Sequence, residues 1–145
     1  MAHALRADPL MARLTDGDFS NLLAFRVALR RFLRWSEAQA AGAGLTPTQH
    51  QLLLSIRGHP DTRGPTMSDV ANYLLVRHHS AVELVDRAEA AGLLERRPDP
   101  DDHRLVRLVL TPTGSDKVSS LSRLHVEELR RLAPLLEAFA GLPEL

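Results

Sequence analysis

Apolar residues recur at helical spacing from Asp18 to about Ala41, at Phe19, Leu22, Leu23, Leu29, Phe32 and Leu33, with no proline or glycine between. Gly42 and Gly44 then mark the helix end. "TPTQ" at 46–49 predicts a second start: Thr46 as cap, Pro47 at the first helical position and Gln49 closing a capping box. That helix carries Leu52, Leu53 and Ile56 and stops near Gly58, and "GHPDTRGP" reads as a loop. A second box, Thr66-x-x-Asp69, opens a helix with Met67, Val70, Ala71, Leu74 and Leu75 on one face. The next helix has the stripe Ala81, Leu84, Val85, Ala88 and ends at Gly92. Two strands follow, Leu93–Arg97 and Leu105–Leu110, the latter alternating Val106, Leu108 and Leu110 against Leu105, Arg107 and Val109. "PDPDDHR" between them is a projecting hairpin loop, because proline removes ladder donors and aspartate favours turns. A last helical stretch runs from about Thr113 to Phe139, where Pro134 should kink or break it.

Two short helices joined by a tight turn and followed by a β-hairpin make a winged helix-turn-helix. The predicted fold is mainly α (α+β), one winged-helix domain over residues 1–145. Its core spans 46–111, and long helices at 18–42 and 113–145 flank it. Those outer helices carry more apolar length than so small a core can cover. Leftover surface of that kind pairs with another chain, so they are expected to be dimerisation helices.

A length of 145 residues is one domain's worth of chain. The formal net charge is zero, so any polyanion partner must be met by locally gathered charge or by two small patches in a dimer. Cysteine is absent, which excludes disulfides, a thiol nucleophile and thiolate metal sites. "MAHALRADPLMARL" does not read as a signal peptide, and no apolar run approaches the ~18 residues of a membrane span. The expectation is a soluble cytoplasmic protein without membrane partner or cofactor.

In a helix-turn-helix the N-terminal half of the second helix enters the major groove. With Ala81, Leu84, Val85 and Ala88 inward, 100° per residue turns His79, Val82, Glu83 and Asp86 outward, flanked by Ser80 and Arg87. Val82 suits a thymine methyl, Glu83 suits cytosine N4, and His78, His79 and Ser80 suit a base edge or a phosphate. Arg77 lies where the chain crosses the sugar–phosphate backbone. In the hairpin loop Arg104 is the probe for a narrow minor groove, and Asp102 either orients its guanidinium or makes the turn. Arg96, Arg97 and Arg107 serve phosphates or the strand surface. Arg87 either reaches a phosphate or pairs with Glu83 or Asp86. From Arg77 to Arg107 six arginines face seven acids, so affinity must rest on few contacts, with Asp86 and Glu89 paired inside the module.

Other readings of the same residues are weaker. His78 and His79 with Glu83 lack a third metal ligand, and neighbouring histidines in a helix point apart, so no metal is expected. His125 with Glu128 reads as a solvated pair. Arg26, Arg30 and Arg34 form an i, i+4, i+8 row that is a solvated face or pairs across a dimer.

The stretch "LVDRAEAAGLLERRPDPDDHRLVRLVLTPTG" resembles the MarR family of bacterial transcriptional regulators. The family's wing pattern is Asp-x-Arg, five residues, Leu-Thr; here Asp102, His103 and Arg104 are followed by Leu110 and Thr111. "LTPTQHQLLL" at 45–54 is similar to the family's second helix, and the resemblance runs from about Asp18 to the C-terminus. It implies a homodimer joined by the outer helices, binding a palindromic operator, often relieved by a small ligand or oxidant. It also implies an effector pocket between the dimer helices and the winged domain, near Trp35 and His50, although packing is the ordinary role of a lone tryptophan. The chain departs from the family where Arg77-His78-His79 replaces a capping Ser, Thr or Asp, and where Glu83 replaces a neutral or basic residue. Without cysteine, a thiol switch is excluded. The function expected is a DNA-binding transcriptional regulator and not an enzyme, a repressor with double-stranded operator DNA, a second copy and a small effector as partners. The rivals are a winged-helix module for protein–protein contact and, more remotely, a metal-dependent hydrolase on His78, His79 and Glu83.

Overall fold

The computed structural model describes residues 14–140. Residues 1–13, read above as carrying no leader, and 141–145, the end of the C-terminal dimerisation segment, lie outside the described residues. The chain order is α1 (Asp16–Gly42), α2 (Pro47–Gly58), α3 (Met67–Leu74), α4 (His78–Ala90), β1 (Leu94–Pro98), β2 (Val106–Leu110) and α5 (Pro112–Glu137). Two compact units result. One is the core, residues 36–125; the other joins the residues up to Trp35 with those from Val126 on. The first includes the last turns of α1 and the first half of α5. No helix among the described residues is long and apolar enough to cross a membrane.

Both predicted capping boxes form. The Thr46 hydroxyl accepts from the Gln49 amide at 3.1 Å, and the Gln49 side chain accepts from the Thr46 amide at 3.1 Å. Thr66 and Asp69 repeat the exchange at 3.2 and 2.9 Å. α4 differs: its cap, Arg77, makes no side-chain capping bond, as the departure from a capping residue implied. Tertiary burial holds this helix instead, through Ala81, Val85 and Ala88, with Leu84 partly buried beside them. Leu75 closes α3 in the left-handed region at φ 55° and is 91% exposed, so it leaves the apolar stripe predicted for it. The turn bends there so that Val76 can return to the core and donate to the Ala71 carbonyl at 3.1 Å.

β1 and β2 pair antiparallel, with Leu94 opposite Leu110, Arg96 opposite Leu108 and Arg97 opposite Arg107. Leu94 and Leu108 are buried on the face that meets the helices. The predicted loop at 58–65 does more than connect. Thr66 bridges Arg107, and the Leu108 amide donates to the Pro65 carbonyl at 2.9 Å, so β2's free edge is covered. Gly64 makes that approach possible: its φ is 95°, and a Cβ there would run into the Leu108 carbonyl. Thr111, the threonine of the Leu-Thr pair, joins the hairpin to α5. Its hydroxyl donates to the Gly92 carbonyl at 2.6 Å and accepts from the Gly114 amide at 3.1 Å. α5 then runs through Pro134 to Glu137, so the predicted break does not occur.

The second unit is a helix pair with few buried side chains of its own. Phe25 and Phe139 meet edge to face, with ring centroids 6.0 Å apart. Phe19, Leu23, Leu33, Leu129 and Leu136 stay exposed.

Two glycines separate backbone strain from crowding. Gly92 sits at φ 75° in open space, whereas Gly64 combines positive φ with a carbonyl in its way. Gly92→Ala is expected to cost about 1–2 kcal/mol of left-handed strain. Gly64→Ala should add about 1–3 kcal/mol of overpacking to the same strain. Urea unfolding of both variants measures this, and equal losses would refute the account of the 64–66 approach.

Candidate nucleic-acid interface

α4 presents Arg77, His78, His79, Glu83 and Arg87 as exposed side chains, whereas Ser80 and Val82 are half-buried. The stripe on the opposite side fixes this face. Among the described residues no ion pair reaches Arg77 or Arg87, so the pairing of Arg87 with Glu83 or Asp86 is not formed. Asp86 and Glu89 turn to β1 instead. Arg96 donates to Asp86 at 2.5 Å and to Glu89 at 2.7 Å, and the Arg96 amide also donates to Glu89 at 3.1 Å. This is the internal pairing predicted for the two acids. Its partner is a strand arginine, which is thereby engaged and not free for a phosphate.

The wing loop is organised by a residue to which the sequence analysis assigned no role. Asp99 is 2% exposed. One of its oxygens accepts from the Asp101 and Asp102 amides at 2.8 and 2.9 Å, and the other from Arg107 Nε at 2.7 Å. Arg107 also donates to the Gly64 carbonyl at 3.2 Å, and its side chain is only 12% exposed. As a phosphate contact, Arg107 is therefore corrected: strand alternation puts it on the face away from the helices, but residues 61–64 cover that face. Arg63 extends the cluster, bonding Asp61 at 2.8 Å and Asp101 at 3.1 Å. Asp99 carried a local signal, since an aspartate whose side chain can take the amides two and three residues on makes a turn of this kind. Arg63 and Asp61 carried none.

Beyond this anchored base, Arg104 projects with its side chain 90% exposed. Asp102 accepts from its Nε and Nη2 at 3.0 and 3.2 Å and from its amide at 3.0 Å. The two readings of Asp102 thus coincide: one carboxylate makes the turn and orients the guanidinium. Asp102 is held below the ordinary carboxylate range, first by that guanidinium and then by the Arg104 amide. Asp99 is drawn down to about 2, by Arg107 first and then by the two loop amides. Arg63 likewise lowers Asp61. Of the seven acids between Arg77 and Arg107, six have arginine partners within 4.0 Å, leaving Glu83 as the unpaired one among the described residues. Arg97 keeps only a 3.4 Å contact with Glu95 and stays exposed.

The two ligand-pocket candidates fall in different units. Trp35 lies in the helix pair, 5.9 Å from Phe32 and beside an open groove of 660 Å³ that includes Arg31, Glu128 and Arg131. His50 is buried in the core, its ring 4.8 Å from that of His125. Burial first, and His125 second, lower its pKa. His125 Nδ1 lies 2.7 Å from the Leu121 carbonyl and its Nε2 2.7 Å from the Ser36 hydroxyl. Glu128 pairs with Arg131. Among the described residues no group of three or more histidines or carboxylates is placed to hold a metal ion.

The depressed Asp99 predicts an acid limb in stability. Between about 3.9, the usual unfolded value, and about 2 the unfolded chain binds the extra proton, so stability rises with pH across that window. The Asp99 contribution is complete above it and lost as pH falls through about 2. Thermal midpoints from pH 7 to 2 should therefore hold above about pH 5 and fall below 4. Asp99→Asn should lower the plateau and flatten the limb; parallel limbs in the two proteins would contradict the assignment.

Residues 43–105 match the MarR family. Over 122 residues the chain is 29% identical to the uncharacterized HTH-type transcriptional regulator YkoM of Bacillus subtilis (strain 168), covering 81% of this chain and 73% of that one. In structure it is similar to AbsC, a MarR family transcriptional regulator from Streptomyces coelicolor, at a TM-score of 0.66 and 24% identity, over 87% of this chain and 91% of the other. A complex of S. aureus MepR with DNA matches at a TM-score of 0.65 and 21% identity, over 83% and 84% of the two chains. With its capping boxes, stripe and Asp-x-Arg wing on those same residues, the chain is similar to the MarR family of winged helix-turn-helix transcriptional regulators.

Proposed function

We propose that this chain is a DNA-binding transcriptional regulator whose two copies bind a palindromic operator. The observation that carries the reading is one surface pattern. Arg77, His78, His79, Glu83 and Arg87 line the open face of α4, and Arg104 projects from the wing, while the arginines that could compete with them are paired inside. α4 enters the major groove, with Ser80 and Val82 at its edge, and Arg104 enters the flanking minor groove. The recognition helices of a dimer then meet successive grooves about 34 Å apart. A MepR–DNA complex of the same fold supports DNA as the partner.

The exposed leucines and Phe19 of the helix pair support dimerisation, because an apolar face of this kind is stable only when covered. Repression, relief by a small molecule and a cytoplasmic location follow from the family reading. An effector would meet Trp35 in its open groove; His50, 3% exposed, offers little access.

Binding to the DNA upstream of its own coding region, titrated with salt, tests the reading. Log K should fall linearly with log salt, by about 0.9 per phosphate contacted. Arg104→Ala should weaken binding about tenfold, the scale of one groove contact. Weak binding that is equal for random DNA and unchanged by the substitution would leave a winged-helix module for protein contact. In sedimentation, Leu23→Glu with Leu136→Glu should convert a dimer to monomer and weaken DNA binding with it. A variant that stays dimeric would move the interface elsewhere.

A further inference from the structure

Arg107 lies directly opposite Arg97 in the hairpin, and like charges so placed repel. Nothing in a two-stranded ribbon requires an arginine there. Yet the Arg107 guanidinium is closed in, donating to Asp99 and to the Gly64 carbonyl, with Asp61 4.0 Å away. Asp99 in turn holds the amides of Asp101 and Asp102, and Asp102 holds Arg104. A continuous chain of charge-assisted bonds therefore runs from the segment before α3 to the wing arginine.

We propose that Arg107 is a positioning residue for DNA recognition: acting through Asp99, it fixes the wing loop so that Asp102 presents Arg104 to the minor groove. The inference rests on the DNA-binding reading above and adds a role for a side chain that touches no DNA. Its physical content is pre-organisation. The 99–105 loop has one backbone anchor across its neck, the Asp99 amide to the Leu105 carbonyl at 3.0 Å. Within the loop the Leu105 amide donates to the Asp102 carbonyl at 3.0 Å, the Asp99 carboxylate holds the Asp101 and Asp102 amides, and Arg107 and Arg63 are the cations that keep that carboxylate in place. Without Arg107, a 2% exposed carboxylate would lack its nearest cation and the turn would open to hydrate it. Arg104 would keep its charge but lose its fixed direction, and the ordering cost would fall on the binding step.

A double-mutant cycle with Arg107→Gln and Arg104→Ala tests this, using full-length protein whose active fraction is set by stoichiometric DNA titration. Each single variant should bind upstream DNA about tenfold more weakly. The double variant should bind no more weakly than Arg104→Ala alone. Multiplying losses would make Arg107 an independent contact, and an unchanged affinity in Arg107→Gln would make it a stability residue only; either result overturns the proposal. Arg107→Lys, which restores charge without the fork, should recover only part of the loss. Hydrogen exchange supplies a readout free of DNA. The Asp101 and Asp102 amides should exchange faster in Arg107→Gln while the α4 amides do not change. Unaltered exchange at those two amides refutes the positioning role even if the wild type binds no DNA, and absent wild-type binding with faster exchange refutes the DNA reading instead.

Discussion

A buried aspartate needs a reason, and Asp99 has several at once. Removed from water, its carboxylate requires partners for both oxygens, and it finds them in two loop amides and one guanidinium. Satisfying that one group closes the wing turn, draws Arg107 inward and brings residues 61–64 over the outer face of β2. Gly64 has to be glycine for the approach, and the Pro65 carbonyl completes it by covering the edge of β2. The direction in which Arg104 projects is thus set by a carboxylate five residues away in the chain.

The same arrangement accounts for how a chain with no net charge can present a face suited to DNA. Acids and arginines are nearly balanced in the recognition module, but they are not interchangeable. Asp86, Glu89, Asp99 and Asp101 are occupied by Arg96, Arg107 and Arg63 at the base of the wing. What remains exposed is Arg77 and Arg87 at α4, Arg97 on β1 and Arg104 on the wing, with Glu83 among them. Local neutralisation does what an overall positive charge does in more basic proteins, and it leaves few contacts per copy. That is the physical case for two copies, since binding energy from a second recognition helix adds to the first within one complex.

Much of this was legible from residues alone because the signals are local. Capping boxes at Thr46 and Thr66, the stripe of α4 and the turn at Gly92 involve atoms within a few residues of each other, and each formed as predicted. The Asp102–Arg104 pair is local too, two residues apart. Of the two outcomes expected at Pro134, a kink or a break, the break does not occur, since α5 runs on to Glu137.

What the sequence could not decide is which charged side chains face outward. Alternation along β2 sets Arg107 on the outer face, and only the return of residues 61–64, more than forty positions earlier, covers it. Arg96, on the other face, is claimed by Asp86 and Glu89 from a neighbouring helix. Likewise His125, read by spacing only as a solvated partner of Glu128, also meets Ser36 and His50 from distant segments. Periodicity and caps follow from bonds between near neighbours, so the chain alone determines them. The fate of a buried or exposed charge depends on what else is folded against it, and that is settled only in three dimensions.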